Sequence, residues 1–339
     1  MPAKKKAPAK TPKEAAAPKK PPASKTAPKA AAPRKPPARN KEERTYTGPL
    51  RVNAPPKRPD LLLFGTGGTP HSADPRDHPG AVRRLHELGL GAYEMEFVHG
   101  VRIRPESCEE VHRLQGETGV RVTAHGPYYI NLFSLEEEKL AASRARVLDT
   151  ARALARCGGD GACFHPGFYQ GRDAGEVYAH MKQELAGLAD ALREEGCPVR
   201  LDPETTGKES QFGSLDELTR LRREARRENL GLTLDFSHIH ARSGGAFNTY
   251  EEFGSLLELI RNRNGKAALQ DMHIHLSGIA YGGKGEKHHL DVDESDMNYP
   301  GLLRALIDFG CEGLVVCESP GLEYDALILQ RAYRELHGG

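Results

Sequence analysis

The sequence has no tryptophan, and its aromatic residues make up only 6% of 339. It also has no apolar run of about 18 residues, so no membrane-spanning helix is expected. The N-terminus is basic and lacks the apolar stretch of a secretory signal, which points to a cytosolic protein. Six cysteines, at positions 108, 157, 163, 197, 311 and 317, form no CxxC pair. In a chain long enough to bury a core without covalent staples, they read as reduced thiols and give no zinc-finger signal. Cys163 and Cys317 fall inside apolar, strand-like runs and read as small buried hydrophobes.

The first 40 residues also lack Val, Ile, Leu, Phe and Tyr, while holding 12 Lys or Arg against one acid, Glu14, with 12 Ala and 10 Pro. Such a segment cannot bury enough apolar surface to offset chain entropy. The expected organisation is therefore a disordered Lys/Ala/Pro-rich tail over residues 1–58, followed by one folded domain over residues 59–339. The formal net charge of +1 then hides two opposite parts. The first 40 residues carry +11, and the remaining 36 basic and 46 acidic residues carry −10. A cationic arm of this kind attracts nucleic-acid phosphates through counterion release, which would keep the protein near the nucleoid.

From Asp60 onward, short apolar runs alternate with segments of helical period. The runs are LLLFGT, AYEMEFV, VRVTAH, GACFHP, VRLDPET, LTLDFSH, MHIHLSG and LVVCES. The clearest helical segments end in Gly158 and Gly196, and Ser214 with Glu217 forms a capping-box start. Eight such strand–helix units over about 280 residues predict an α/β fold, a (β/α)8 TIM barrel. The alternative, an open doubly wound sheet, usually carries a phosphate-binding glycine fingerprint after its first strand. FGTGGTPHS does not match one and reads as a tight turn.

Barrels carry their chemistry at the C-terminal ends of the strands. Here His125, His165, Glu204, Asp235, His275 and Glu318 stand at six consecutive strand ends, separated by 40, 39, 31, 40 and 43 residues, one βα unit each time. His238 lies just beyond Asp235. A lone histidine or carboxylate at such a position is commonly structural, but six together would repel or titrate unless cations neutralised them. Mixed imidazole and carboxylate donors suit zinc or manganese. His273 and His275 point the same way along one strand, so either can serve as a ligand. After them runs a Gly/Lys-rich loop containing Glu286, His288 and His289.

The segments AHGPYYINL, CFHPG, PETTGKESQFGS, LDFSHIHA, HIHLSGIAYGGKGEKHHL and CESP, in this order and spacing, resemble the endonuclease IV family of apurinic/apyrimidinic endonucleases, within the xylose-isomerase-like barrel superfamily. The resemblance spans nearly all of the expected folded part. It implies a trinuclear zinc site: His125, His165 and Glu204 on one ion; Glu204, Asp235, His275 and Glu318 on a second; His238, Glu286 and His288 on a third. It also implies that Glu204 is catalytic, that Tyr128 engages DNA beside the lesion, and that a monomer cuts damaged duplex DNA 5′ to an abasic site. Where the best-known members have Asp, this chain has Glu286. EFVHGVRIRP also lacks the polar and basic segment those members push into the base stack. Arg102, Arg104, Lys208, Lys284 and Lys287 are candidate phosphate contacts. Two other readings remain open, a metal-dependent sugar isomerase or epimerase and a non-catalytic DNA-binding barrel.

Overall fold

The computed structural model describes residues 60–338. The expected basic tail lies outside the described residues. Eight parallel strands form the sheet: β1 (Leu62–Gly67), β2 (Ala92–Glu96), β3 (Arg121–His125), β4 (Gly161–Phe164), β5 (Arg200–Pro203), β6 (Thr233–Asp235), β7 (Met272–Leu276) and β8 (Gly313–Cys317). Neighbours run in the order 5-4-3-2-1-8-7-6. Isolated parallel bridges, Leu201 to Leu230 and Glu204 to Thr233, join the two ends. This is the TIM barrel expected from the alternating pattern.

Helices α1 (His78–Glu87), α2 (Pro105–Thr118), α3 (Glu137–Arg156), α4 (Ala174–Glu194), α5 (Leu215–Ala225), α6 (Phe236–Arg242), α7 (Tyr250–Asn264), α8 (Tyr299–Asp308) and α9 (Glu323–Gly338) occupy the connections. The expected stops appear beyond α3 and α4, where Gly158 and Gly196 have positive φ of 76° and 69°. The capping box at Ser214 forms in both directions, and α5 ends where Arg226 turns into the left-handed region at φ 52°. The core between strands and helices is apolar, with Phe64, Leu85, Leu154, Leu201, Phe253 and Leu306 buried.

Two local differences matter for function. LTLDFSH is not one strand: Asp235 ends β6 and caps α6 by accepting the backbone N–H of His238 at 2.6 Å. His238 therefore stands in the first turn of a helix, where the cap holds it beside Asp235. The segment after β7 is a hairpin, with Gly278–Gly282 antiparallel to Gly285–Leu290. Among the described residues no helix is long and apolar enough to cross a membrane.

Close contact between β1 and β2 requires glycine at position 65, where an added Cβ would lie 1.6 Å from the carbonyl oxygen of Ala92. Gly65→Ala is expected to destabilise by about 1–3 kcal/mol or more through overpacking against backbone. Gly187→Ala, in α4 with nothing within 4 Å of the added methyl, is expected to stabilise by about 0.5–1 kcal/mol. Urea unfolding of both variants checks the pair.

Candidate metal centre

The strand ends converge as the sequence spacing predicts. His125 closes β3, His165 follows β4, Glu204 follows β5, Asp235 closes β6, His275 is the penultimate residue of β7 and Glu318 follows β8. All but His165 and Glu318 are almost fully buried. Glu204 is at the centre. Its Oε2 lies 3.1 Å from His125 Nε2 and 2.9 Å from His165 Nε2, and its Oε1 lies 3.2 Å from His275 Nδ1 and 3.3 Å from His238 Nδ1. Two sets of potential ligands share this carboxylate: His125, His165 and Glu204; and Glu204, Asp235, His275 and Glu318.

A third set combines Asp235, His238 and His289. His289 lines the cavity at the mouth, whereas its neighbour His288 is exposed. The alternation of the hairpin strand turns one histidine inward and the other out, so His289 faces the cavity, whereas His288, the residue expected there, points away from it. Glu286 also lines the cavity, with Oε2 3.6 Å from His238 Nε2. It is held there by a backbone hydrogen bond from Glu286 N–H to the Gly207 carbonyl at 2.9 Å. The close approach requires glycine at 207, where a Cβ would sit 2.6 Å from that of Glu286. The cavity measures about 280 Å³, and Tyr128, 63% exposed, stands at its rim.

Sequence reasoning missed the contribution of β2. Glu94 and Glu96 lie within the apolar run AYEMEFV, yet both turn inward. Glu96 lines the cavity, and Glu94, Glu96 and Glu318 form a further close set. Two carboxylates spaced by two on a barrel strand share one face, and this was the available signal. Burial pushes the Glu96 carboxyl up to about 8, with Glu94 and Glu318 adding repulsion against the pull of His125 and His275. His273 sits one pleat below His275, between Glu94 and Asp202, and does not join the Glu204 sets. Cys163 and Cys317 are fully buried, as expected.

The donors fit divalent zinc or manganese. Asp235 Oδ2 is buried with no hydrogen-bond partner, its nearest charge partner being His238 Nδ1 at 3.1 Å, while its sister oxygen caps α6. Three imidazoles use Nδ1 against backbone carbonyls that can only accept: His125 on Gly126 at 2.8 Å, His238 on Thr205 at 3.0 Å and His289 on Glu318 at 3.0 Å. Each therefore carries its proton on Nδ1 and leaves Nε2 for a metal, the usual way a protein fixes a ligating histidine.

Without an ion, protons do the neutralising. Desolvation opposes protonation of His125, but the hydrogen bond to Glu204 and the charges of Glu96, Glu204 and Glu94 raise it to about 10. His238 also rises to about 10, against desolvation, through Asp235 and Glu204. Burial opposes ionisation of Glu204, but His165 and His275 hold it well below the usual carboxylate range. The two imidazoles lie above their ordinary value of 6.5. Their stabilisation is complete below that pH and is lost as pH rises through about 10. Chelator-treated protein should accordingly melt at lower temperature at pH 10 than at pH 7. Zinc affinity should rise over the same interval, because the metal displaces protons. Thermal scans and proton-release calorimetry check both.

Comparison with known proteins places this geometry in a family. Residues 82–336 match the family described as the xylose isomerase-like TIM barrel. The chain is 45% identical over 276 residues to an uncharacterised protein of Methanocaldococcus jannaschii, covering 81% of this chain and 98% of that protein. It is 26% identical over 259 residues to a protein of Symbiobacterium thermophilum named probable endonuclease 4, covering 74% and 91%. Among solved structures, endonuclease IV from Thermus thermophilus superposes with a TM-score of 0.62 at 21% identity, covering 81% of this chain and 98% of that one. A D-tagatose 3-epimerase-like protein superposes at 0.63 and 17% identity, covering 81% of this chain and 97% of that one. These two show the shared fold. The chain belongs to the xylose isomerase-like TIM barrel family, and its relatives there include proteins named as endonuclease 4.

Proposed function

We propose that the protein is a metal-dependent DNA-repair endonuclease that hydrolyses the phosphodiester 5′ to an abasic site, leaving a 3′ hydroxyl. The observation that carries this reading is the shared Glu204, with four imidazole nitrogens within 3.3 Å of its two oxygens. In this reading His125, His165 and Glu204 hold one ion; Glu204, Asp235, His275 and Glu318 a second; and His238, Glu286 and His289 a third. Zinc bound there supplies Lewis acidity, which acidifies water near neutral pH and neutralises charge on a phosphate.

The chain's own groups do the rest. Glu204, anchored by β5 and by the bridge to Thr233, orients the attacking water and keeps the metal sets in register. Tyr128, exposed at the rim beside His125 with ring centroids 6.2 Å apart, offers a face against a sugar or base. An abasic nucleotide has no base to unstack and turns out of the duplex at little cost, so a small cavity selects it by shape. The basic tail would hold the protein near duplex phosphates.

A sugar epimerase is the second reading. It is favoured by the D-tagatose 3-epimerase-like structure, which superposes about as well as the endonuclease, and by the Glu204, Asp235, His275 and Glu318 set, which would suffice for one metal and a carboxylate base. That reading leaves His125, His165, His238 and His289 without a task.

The test is an end-labelled duplex with one abasic site, incubated with zinc-loaded full-length protein and with chelated protein. Nicking 5′ to the site is expected with metal and absent after chelation. Glu204→Gln is expected to reduce the rate by at least about 10³-fold, a loss on the scale of about 4 kcal/mol in transition-state stabilisation. Normal nicking by folded Glu204→Gln protein would refute the assignment. Turnover of ketohexoses by the zinc- or manganese-loaded protein, without nicking, would favour the epimerase.

A further inference from the structure

The barrel interior below the metal sets is only partly apolar: Ala92, Leu314 and Val316 pack together there, while β2, β5 and β7 contribute charged and imidazole side chains. Glu94, on β2, is 0% exposed. Its Oε1 lies 2.9 Å from His275 Nε2 and its Oε2 2.8 Å from His273 Nε2, charge contacts that are not aligned as hydrogen bonds. Oε2 also accepts the Thr123 hydroxyl at 2.8 Å. His273 Nδ1 lies 3.2 Å from Asp202 Oδ2, and Arg200 clasps both oxygens of Asp202 at 2.6 and 2.9 Å. A continuous line, Arg200–Asp202–His273–Glu94–His275, thus climbs from the start of β5 to the metal layer.

We propose that Glu94 is a positioning residue of the metal centre and that His273 is its strut, not a ligand; this deepens, and rests on, the metal-centre reading above. His275 turns Nδ1 toward Glu204 and Glu318, each at 3.2 Å, on the side where the donors gather. To offer a lone pair there, the ring must keep its proton on Nε2, and Nε2 faces Glu94. The buried charge of Glu94, 2.9 Å from that nitrogen, favours a proton there and so selects this tautomer, as outer carboxylates do for ligating histidines. Three of the other imidazoles obtain the same result from backbone carbonyls. His275, on a straight strand whose carbonyls serve the sheet, obtains it from Glu94.

His273 cannot share that role. Both of its nitrogens face carboxylates, Glu94 and Asp202, that lie outside the Glu204 sets. Two residues along a strand from His275, it sits roughly 6.6 Å lower. Its contacts brace Glu94 from beneath and carry the charge of the line down to Arg200, so the buried acids stay paired when metal is bound.

The experiment compares full-length wild type, Glu94→Gln and His273→Gln for zinc affinity by competition with a chromophoric chelator. It also compares zinc ions bound per chain at saturation, the visible d–d spectrum after cobalt(II) loading, and melting of the chelated forms. Both variants are expected to bind the wild-type number of ions with affinity lowered about 10- to 100-fold. The cobalt bands should shift, and the shift separates positioning from a general loss of stability. Unchanged affinity and an unchanged cobalt spectrum in Glu94→Gln would overturn the proposal, as would a lower ion count in His273→Gln. If Glu94→Gln does not fold, Asp202→Asn decides: a fall in affinity supports the line, and wild-type affinity overturns it. Failure of the wild type to bind zinc defeats the metal-centre reading itself, whereas normal wild-type binding with unaffected variants defeats only this inference.

Discussion

The structure depends on one buried carboxylate. Glu204 is fully buried at the centre of the barrel mouth, and its two oxygens divide four imidazoles between them. Burying that charge alone would cost several kcal/mol. With cations on both sides, whether protons or metal ions, it becomes the joint between two ligand sets. The strands carrying His125, His165, Asp235, His275 and Glu318 are all placed with respect to it.

The surrounding chain supplies orientation. Backbone carbonyls at Gly126, Thr205 and Glu318 fix three ring tautomers. Asp235 uses one oxygen to cap α6 and leaves the other free of hydrogen bonds, so one residue sets both the helix that carries His238 and a potential ligand. Below this layer, Arg200, Asp202, His273 and Glu94 keep the interior charges matched. The polar column shares the barrel interior with a small apolar cluster of Ala92, Leu314 and Val316.

Much of this was legible in the sequence. The recurrence of strand and helix patterns led to the barrel, and the separations of His125, His165, Glu204, Asp235, His275 and Glu318 led to one mouth. Sequence could not separate His273 from His275, because both face the same way on β7, and only depth distinguishes them. Nor could it separate His288 from His289, because a loop reading has no alternation; once the segment is a hairpin strand, one histidine turns inward. Glu94 and Glu96 escaped notice within an apolar-looking run, although their spacing by two already placed them on one face.

What the sequence determined by itself is periodicity and inventory: a repeated βα unit, and imidazoles and carboxylates at the positions where that unit ends. These follow from local chain geometry, since a strand followed by a helix returns each end to the same rim. Tertiary structure alone decided which atoms meet. Register between strands, the cap that stops β6 at Asp235 and the hairpin pinned to Gly207 depend on neighbours far along the chain. They turn a list of strand-end ligands into ordered sets around Glu204, with His289 inside and His288 outside.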